Sequence, residues 1–242
     1  SSASRVSYAF DDYLTKNNVD RVYLFNGRFS FLRSVLRACQ RHGVDFFTHD
    51  RGCNTHKYSI FDNALPHNAE LFENRLRQSW SKALPDERTS IAEKFYHDRA
   101  KGKGQAWFSF TAEQRDGLLP DNWQPDRVNV VIFSSSEDEF AAIDREWENE
   151  IYDGQLDGIK KIVSDLSVRC GMHVYLRIHP NLKDVNNDSV TALYAISSDN
   201  FTIIPAASKV SSYSLLHAAD KVITFGSTVG IEATFWGVAS IL

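Results

Sequence analysis

The sequence predicts an α/β protein of two Rossmann-like lobes built on parallel sheets. Three observations carry that prediction. Short runs rich in β-formers (RVYLF, VNVVIF, VYLRI, KVITF) alternate with stretches whose apolar residues recur at helical spacing. VNVVIF is almost wholly apolar, as in a parallel strand covered on both faces. Turn-forming residues, among them Asn26-Gly27, Arg51-Gly52 and Gly226-Ser227, stand directly after the strand-like runs. A chain of 242 residues can hold two lobes with separate cores, and 43% hydrophobic with 24% charged content argues against disorder and coiled coil.

In chain order, a short helical pattern from Asp11 to Asn18 precedes the strand RVYLF, which stops at Asn26-Gly27. FSFLRSVLRACQRHG then places Phe31, Leu32, Val35, Leu36 and Cys39 on one helical face and ends at Gly43, a C-cap residue. VDFFTHD follows as a strand running into Arg51-Gly52. A strand, helix and strand in this order form a right-handed parallel unit, so Asn26, Arg28, Asp50 and Arg51 are expected at one sheet edge. Helices are expected over 66–84 and 85–100, with Trp80, Ile91, Phe95 and Tyr96 in core contacts. KGKG (101–104) breaks the pattern, AWFSF is short and apolar, and 117–127 has the composition of a linker. The lobes are therefore expected to span 1–120 and 121–242.

The second lobe opens with VNVVIF and the triplet Ser134, Ser135, Ser136, where Ser136 and Glu139 fit a capping box. Ile159, Ile162, Val163 and Leu166 mark a crossover helix over 157–170 before VYLRI. A helix near 190–196, the strand FTIIP, a helix from Ser211 or Ser212 to Ala218, KVITF, a helix carrying Glu232 and a last strand VASIL complete the alternation. A lobe of this kind normally continues beyond such a strand, so the sequence is expected to be a fragment. The charge runs 137–139 and 144–150 read as exposed helix faces.

Net charge of -4 gives no general attraction to nucleic acid or acidic lipid. Cys39, Cys53 and Cys170 are odd in number and lack metal-ligand spacing, which fits a reducing cytoplasm and suggests no zinc site. No window has the roughly 18 consecutive apolar residues of a membrane span, so any membrane association is expected to be peripheral. GxSxG, HExxH and P-loop patterns are lacking.

The candidate chemistry lies at strand ends, where ligands of open parallel sheets bind and helix N-termini present N–H groups to phosphate. Gly226, Ser227 and Thr228 form a small-residue turn that lets backbone approach a phosphate; the same residues also suit a plain helix cap. Glu232, one turn on, either accepts from ribose hydroxyls or simply favours the first turn of its helix. His179, fixed in direction by Pro180, and Arg177, on the same strand face, are expected at a phosphate; a structural ion pair is the alternative for Arg177. Ser134 to Ser136 share the ambiguity of any capping sequence. Asn26, Gly27, Arg28, Asp50 and Arg51 could be turn residues or a ligand edge.

NGR after the first strand, DRG after the second, FSSSEDE, RIHPN and FGSTVGIEATFWG together resemble the bacterial capsule and surface-polysaccharide glycosyltransferases of GT-B architecture. The sequence is more distantly similar to Kdo transferases, HP-motif sialyltransferases and polyglycerolphosphate transferases. The resemblance runs from about Val22 to the end; Asp50 departs from it, standing where glutamate is expected. It implies a C-terminal lobe that holds a nucleotide sugar and an N-terminal lobe that holds a glycan or lipid-linked glycan acceptor across a cleft. His179 would contact the donor phosphate, Ser227 and Thr228 would cradle it, and Glu232 would touch the ribose. Asp50 is the first candidate for catalytic base and Glu137 the second. Neither metal nor cofactor is implied. The expected activity is transfer of Kdo or another CMP-linked sugar to a growing polysaccharide, in the cytoplasm, at the inner membrane or in an assembly complex. A CDP-glycerol-type phosphotransferase and a non-catalytic glycan- or nucleotide-binding domain are the alternatives.

Overall fold

The computed structural model describes residues 2–52, 56–103, 113–136, 143 and 147–241. Two compact units divide them: 2–52, 56–94, 143 and 147 in the first, and 95–103, 113–136 and 148–241 in the second. The Glu137 candidate, the end of the Ser136–Glu139 capping box, the AWFSF run and Cys53 lie outside the described residues, as does part of the 144–150 charge run.

The first unit contains α1 (Ser2–Lys16), β1 (Arg21–Phe25), α2 (Ser30–His42), β2 (Asp45–Arg51), β3 (Tyr58–Asp62), α3 (Ala69–Lys82) and most of α4 (Pro85–Ala100). β1 and β2 pair in parallel, Val22 opposite Phe46, as the strand–helix–strand pattern requires. β3 was not foreseen: it runs antiparallel to β2, with Asp50 opposite Ser59. Leu24, Leu36, Cys39, Phe46 and Leu65 form the core, and α2 closes on Gly43 at φ 66°. Helix α1 begins at Ser2, well before Asp11, which accepts from Arg41 at 2.6 Å. Helices α3 and α4 bury no residue completely, and Trp80, Ile91 and Phe95 are 58%, 66% and 39% exposed, so the expected core contacts fail there. Helical periodicity identifies an apolar face but not what covers it; Trp80 carries the guanidinium of Arg88 4.4 Å from its ring centroid. Tyr96, which like Phe235 belongs to the second unit, does pack, 4.2 Å from that ring.

The second unit holds the end of α4 and then β4 (Val128–Phe133), α5 (Gln155–Leu166), β5 (Met172–Arg177), a 3-10 turn (Pro180–Leu182), α6 (Asp188–Tyr194), β6 (Phe201–Ile204), α7 (Ser212–Ala218), β7 (Lys221–Thr224), α8 (Thr228–Phe235) and β8 (Ala239–Ile241). Its five strands are parallel in the order β6-β5-β4-β7-β8. Alternate residues of β4 serve opposite faces: Val130 and Ile132 pack with Ile159, Val163, Val174 and Leu176, while Val131 and Phe133 pack with Tyr175, Leu215, Leu216 and Val222. That two-sided burial is why VNVVIF has almost no polar residue. The 117–127 segment, linker-like in composition, is packed: Trp123 stacks on Tyr175 at 4.5 Å, and Leu118 O accepts from Ser211 N. No helix among the described residues is long and apolar enough to cross a membrane.

From β4 the chain winds outward through β5 and β6, then returns to β7 on the other side of β4. The strand order reverses at β4, and in such sheets the adjoining carboxyl ends open a crevice between diverging connections.

Candidate functional site

The carboxyl ends of β4, β5 and β7 are tied together by serine side chains. Ser134 Oγ accepts from His179 N at 2.9 Å, joining β4 to β5. Ser135 Oγ donates to Phe225 O at 2.7 Å, joining β4 to β7. Gln155, at the start of α5, brackets Ser135 with Oε1 at 2.5 Å from its N and Nε2 at 3.2 Å from its O. Ser134, Ser135 and Ser136 are all buried, so the first two serve the crevice by holding its edges.

His179 is half-buried and precedes the 3-10 turn that Pro180 starts. Its Nδ1 accepts from Asn181 N at 3.2 Å, which places the proton of the neutral ring on Nε2 and makes that nitrogen a donor. Gly226 has φ 73°, a conformation that favours glycine, and turns the chain into α8. Ser227 is the N-cap and accepts from Val229 N at 3.4 Å, while Thr228 is exposed in the first turn.

Arg177 stands elsewhere than expected. It is 2% exposed; its guanidinium donates to Pro205 O and, at 3.2 Å, to Ser208 O, and its Nε has no partner. Burial pulls its pKa down to about 10. The side chain fastens the loop after β6 instead of presenting a charge at the crevice.

Glu232 is 2% exposed, and both its oxygens are engaged. Oε1 accepts from Thr228 Oγ1 at 3.2 Å and from Arg99 Nε and Nη2 at 3.1 and 2.9 Å; Oε2 accepts from the Tyr213 hydroxyl. Burial and the hydrogen bond to Glu232 push the Tyr213 phenol up. Arg99 and Tyr213 carried no sequence signal, since Arg99 meets its partner across 133 residues.

In the first unit, Asn26 and Asp50 meet at the ends of β1 and β2. Asn26 adopts φ 55°, is 6% exposed and donates through Nδ2 to Asp50 Oδ2 at 2.5 Å. Asn26 Oδ1 accepts from Arg28 N at 3.2 Å, and Asp50 Oδ1 from Arg51 N at 2.7 Å. Gly27 is packed so closely that a Cβ would meet Leu65, Thr48 and Leu36 within 3.0–3.2 Å. His67 belongs to the same cluster and was missed: burial and Arg28 lower its pKa, Asp50 opposes them, and its buried Nδ1 has no hydrogen-bond partner.

No protein-family profile matches the sequence, and no curated sequence matches it. Solved structures do. The β-Kdo 2,4-transferase KpsC of Thermosulfurimonas dismutans aligns over 92% of this chain and 68% of its own, with TM-score 0.56 and 14% identity. S. aureus MnaA with UDP aligns over 98% of this chain and 62% of its own, with TM-score 0.36 and 11% identity. The first likeness establishes the fold: this is an α/β chain of the GT-B type.

Proposed function

We propose that the protein is a glycosyltransferase that moves a sugar, Kdo or another CMP-linked sugar, from a nucleotide donor to a growing capsular or surface polysaccharide. The observation that supports this best is the convergence of three parallel strand ends where the strand order reverses. There the His179 ring, whose Nδ1 accepts from Asn181 N, follows β5 and the N-terminus of α8 follows β7. As the bond between the sugar and the phosphate oxygen breaks, the leaving nucleotide gains negative charge. Preorganised donors stabilise that charge more than they stabilise the bound ground state. Asp50, oriented by Asn26 and by Arg51 N, is the carboxylate proposed to receive the acceptor hydroxyl proton.

The test offers the protein CMP-, UDP-, GDP- and CDP-linked donors with an acceptor glycan and follows phosphorus. Release of free nucleotide and a glycan extended without phosphorus is the expected result. Phosphorus retained in the product would make the enzyme a glycerophosphotransferase of the same fold, and no turnover with any donor would leave a binding domain. A Thr228→Glu variant probes the nucleotide site without acceptor. A carboxylate in the first turn suits the helix dipole but repels phosphate, so nucleotide affinity should collapse; because Thr228 Oγ1 also donates to Glu232, the melting temperature is followed alongside to show that the variant is folded.

A further inference from the structure

A guanidinium reaches the turn after β7 from an unexpected element. Arg99 extends from the last turn of α4 to place Nη2 3.3 Å from Thr228 Oγ1, and its side chain remains 40% exposed. Its orientation is set from behind: Glu232 Oε1 holds Nε and Nη2, and Glu232 is itself fixed by the Tyr213 hydroxyl. Glu232 is only 2% exposed, too deep to serve as an outward ligand without dismantling this arrangement. Arg177, on β5 and separated from β7 by β4, directs its guanidinium to the carbonyls of Pro205 and Ser208.

We propose that Arg99 binds the phosphate of the nucleotide held at the Ser227–Thr228 turn, and that Glu232 and Tyr213 are positioning residues for its guanidinium rather than ribose ligands. The inference rests on the nucleotide reading of this turn. The ligand class is a nucleoside phosphate or the phosphate of a nucleotide sugar. A planar guanidinium held by Glu232, Thr228 and Tyr213 keeps its remaining N–H groups in a fixed geometry that suits phosphate oxygens, and little reorganisation is needed when charge builds up on the leaving group. Glu232 then acts through Arg99.

Calorimetric titration separates the possibilities, using CMP, UDP, GDP and CDP as probes and the corresponding nucleosides as phosphate-free controls. Arg99→Met should weaken nucleotide binding roughly 10- to 100-fold, the range for a lost hydrogen bond to a charged group, and leave nucleoside binding unchanged. Arg99→Lys should recover part of the loss by keeping the charge without the fork. Since Arg99→Met leaves Glu232 buried without its cation and so costs stability, the double variant Arg99→Met/Glu232→Gln removes both charges; it should melt near the wild type and still bind nucleotides weakly. A folded double variant that binds nucleotides as tightly as the wild type overturns the proposal, as does an equal loss for nucleosides and nucleotides. If Thr228→Glu abolishes binding while the double variant retains it, the nucleotide site stands and Arg99 has no part in it. If the folded wild type binds none of the four nucleotides, the site reading itself fails and takes Arg99 with it.

Discussion

His179 has two roles to separate, since its Nδ1 caps the 3-10 turn and its Nε2 is the proposed donor to phosphate. Asparagine at this position can still accept from Asn181 N but lacks the imidazole. His179→Asn should therefore melt close to the wild type and lose on the order of 10²–10³ in transfer rate, the effect of removing one oxyanion donor. Wild-type turnover in that variant would reduce His179 to a cap. His173 gives a pH prediction. It is 7% exposed, its Nε2 lies 2.8 Å from Thr202 Oγ1, and burial, then Arg127, lowers its pKa below 6.5. The unfolded chain then takes up the proton first, so His173 leaves stability unaffected above its unfolded pKa and lowers it as pH falls through 6.5 towards the folded value. His67 acts with the same sign. His173→Gln should flatten the decline of melting temperature between about pH 7 and pH 5; an unchanged slope would mean that His173 is not buried as a neutral ring.

Among the elements, the approach of α5 to β7 determines where the crevice edge lies. A Cβ on Gly158 would stand 2.6 Å from Cε1 of Phe225 and 2.8 Å from Cδ2 of Tyr152, closer than carbon atoms can pack. The Phe225 carbonyl is the one that receives the Ser135 hydroxyl. Gly158→Ala should consequently cost about 1–3 kcal/mol in urea unfolding, the usual range for overpacking, and weaken nucleotide binding by displacing the end of β7. Loss of stability with unaltered binding would show that this edge does not touch the ligand. Nothing in the sequence around Gly158 signals this crowding, because it comes from a phenylalanine 67 positions later.

For the molecule as a whole, two units with separate cores allow ligand effects to be located. Nucleotide at 100 times its dissociation constant stabilises the state it binds by about 2.7 kcal/mol. Hydrogen exchange should slow across 128–136, 172–182 and 221–235, the three strand ends and the helix that follows them. Slowing confined to 21–51 instead would assign the nucleotide to the first unit and reverse the proposed roles.

Alternating β and α runs, the apolar character of VNVVIF and the small residues after KVITF determined the α/β class, the parallel second sheet and the strand ends to inspect. These are local properties: strand periodicity, two-sided burial and turn chemistry are written within a few neighbouring residues. His179 and Asn26 could be singled out for the same reason, each standing beside a proline or glycine that fixes its backbone. Only tertiary structure decided that Arg177 turns to the carbonyls after β6, that Glu232 is buried against Arg99 and Tyr213, that 117–127 packs on the sheet, and that Trp80 and Ile91 stay exposed. Each of those outcomes depends on which distant group satisfies a buried charge or covers an apolar face. Sequence spacing does not carry that information, because the partners lie 19 to 133 residues apart and meet only when the chain folds.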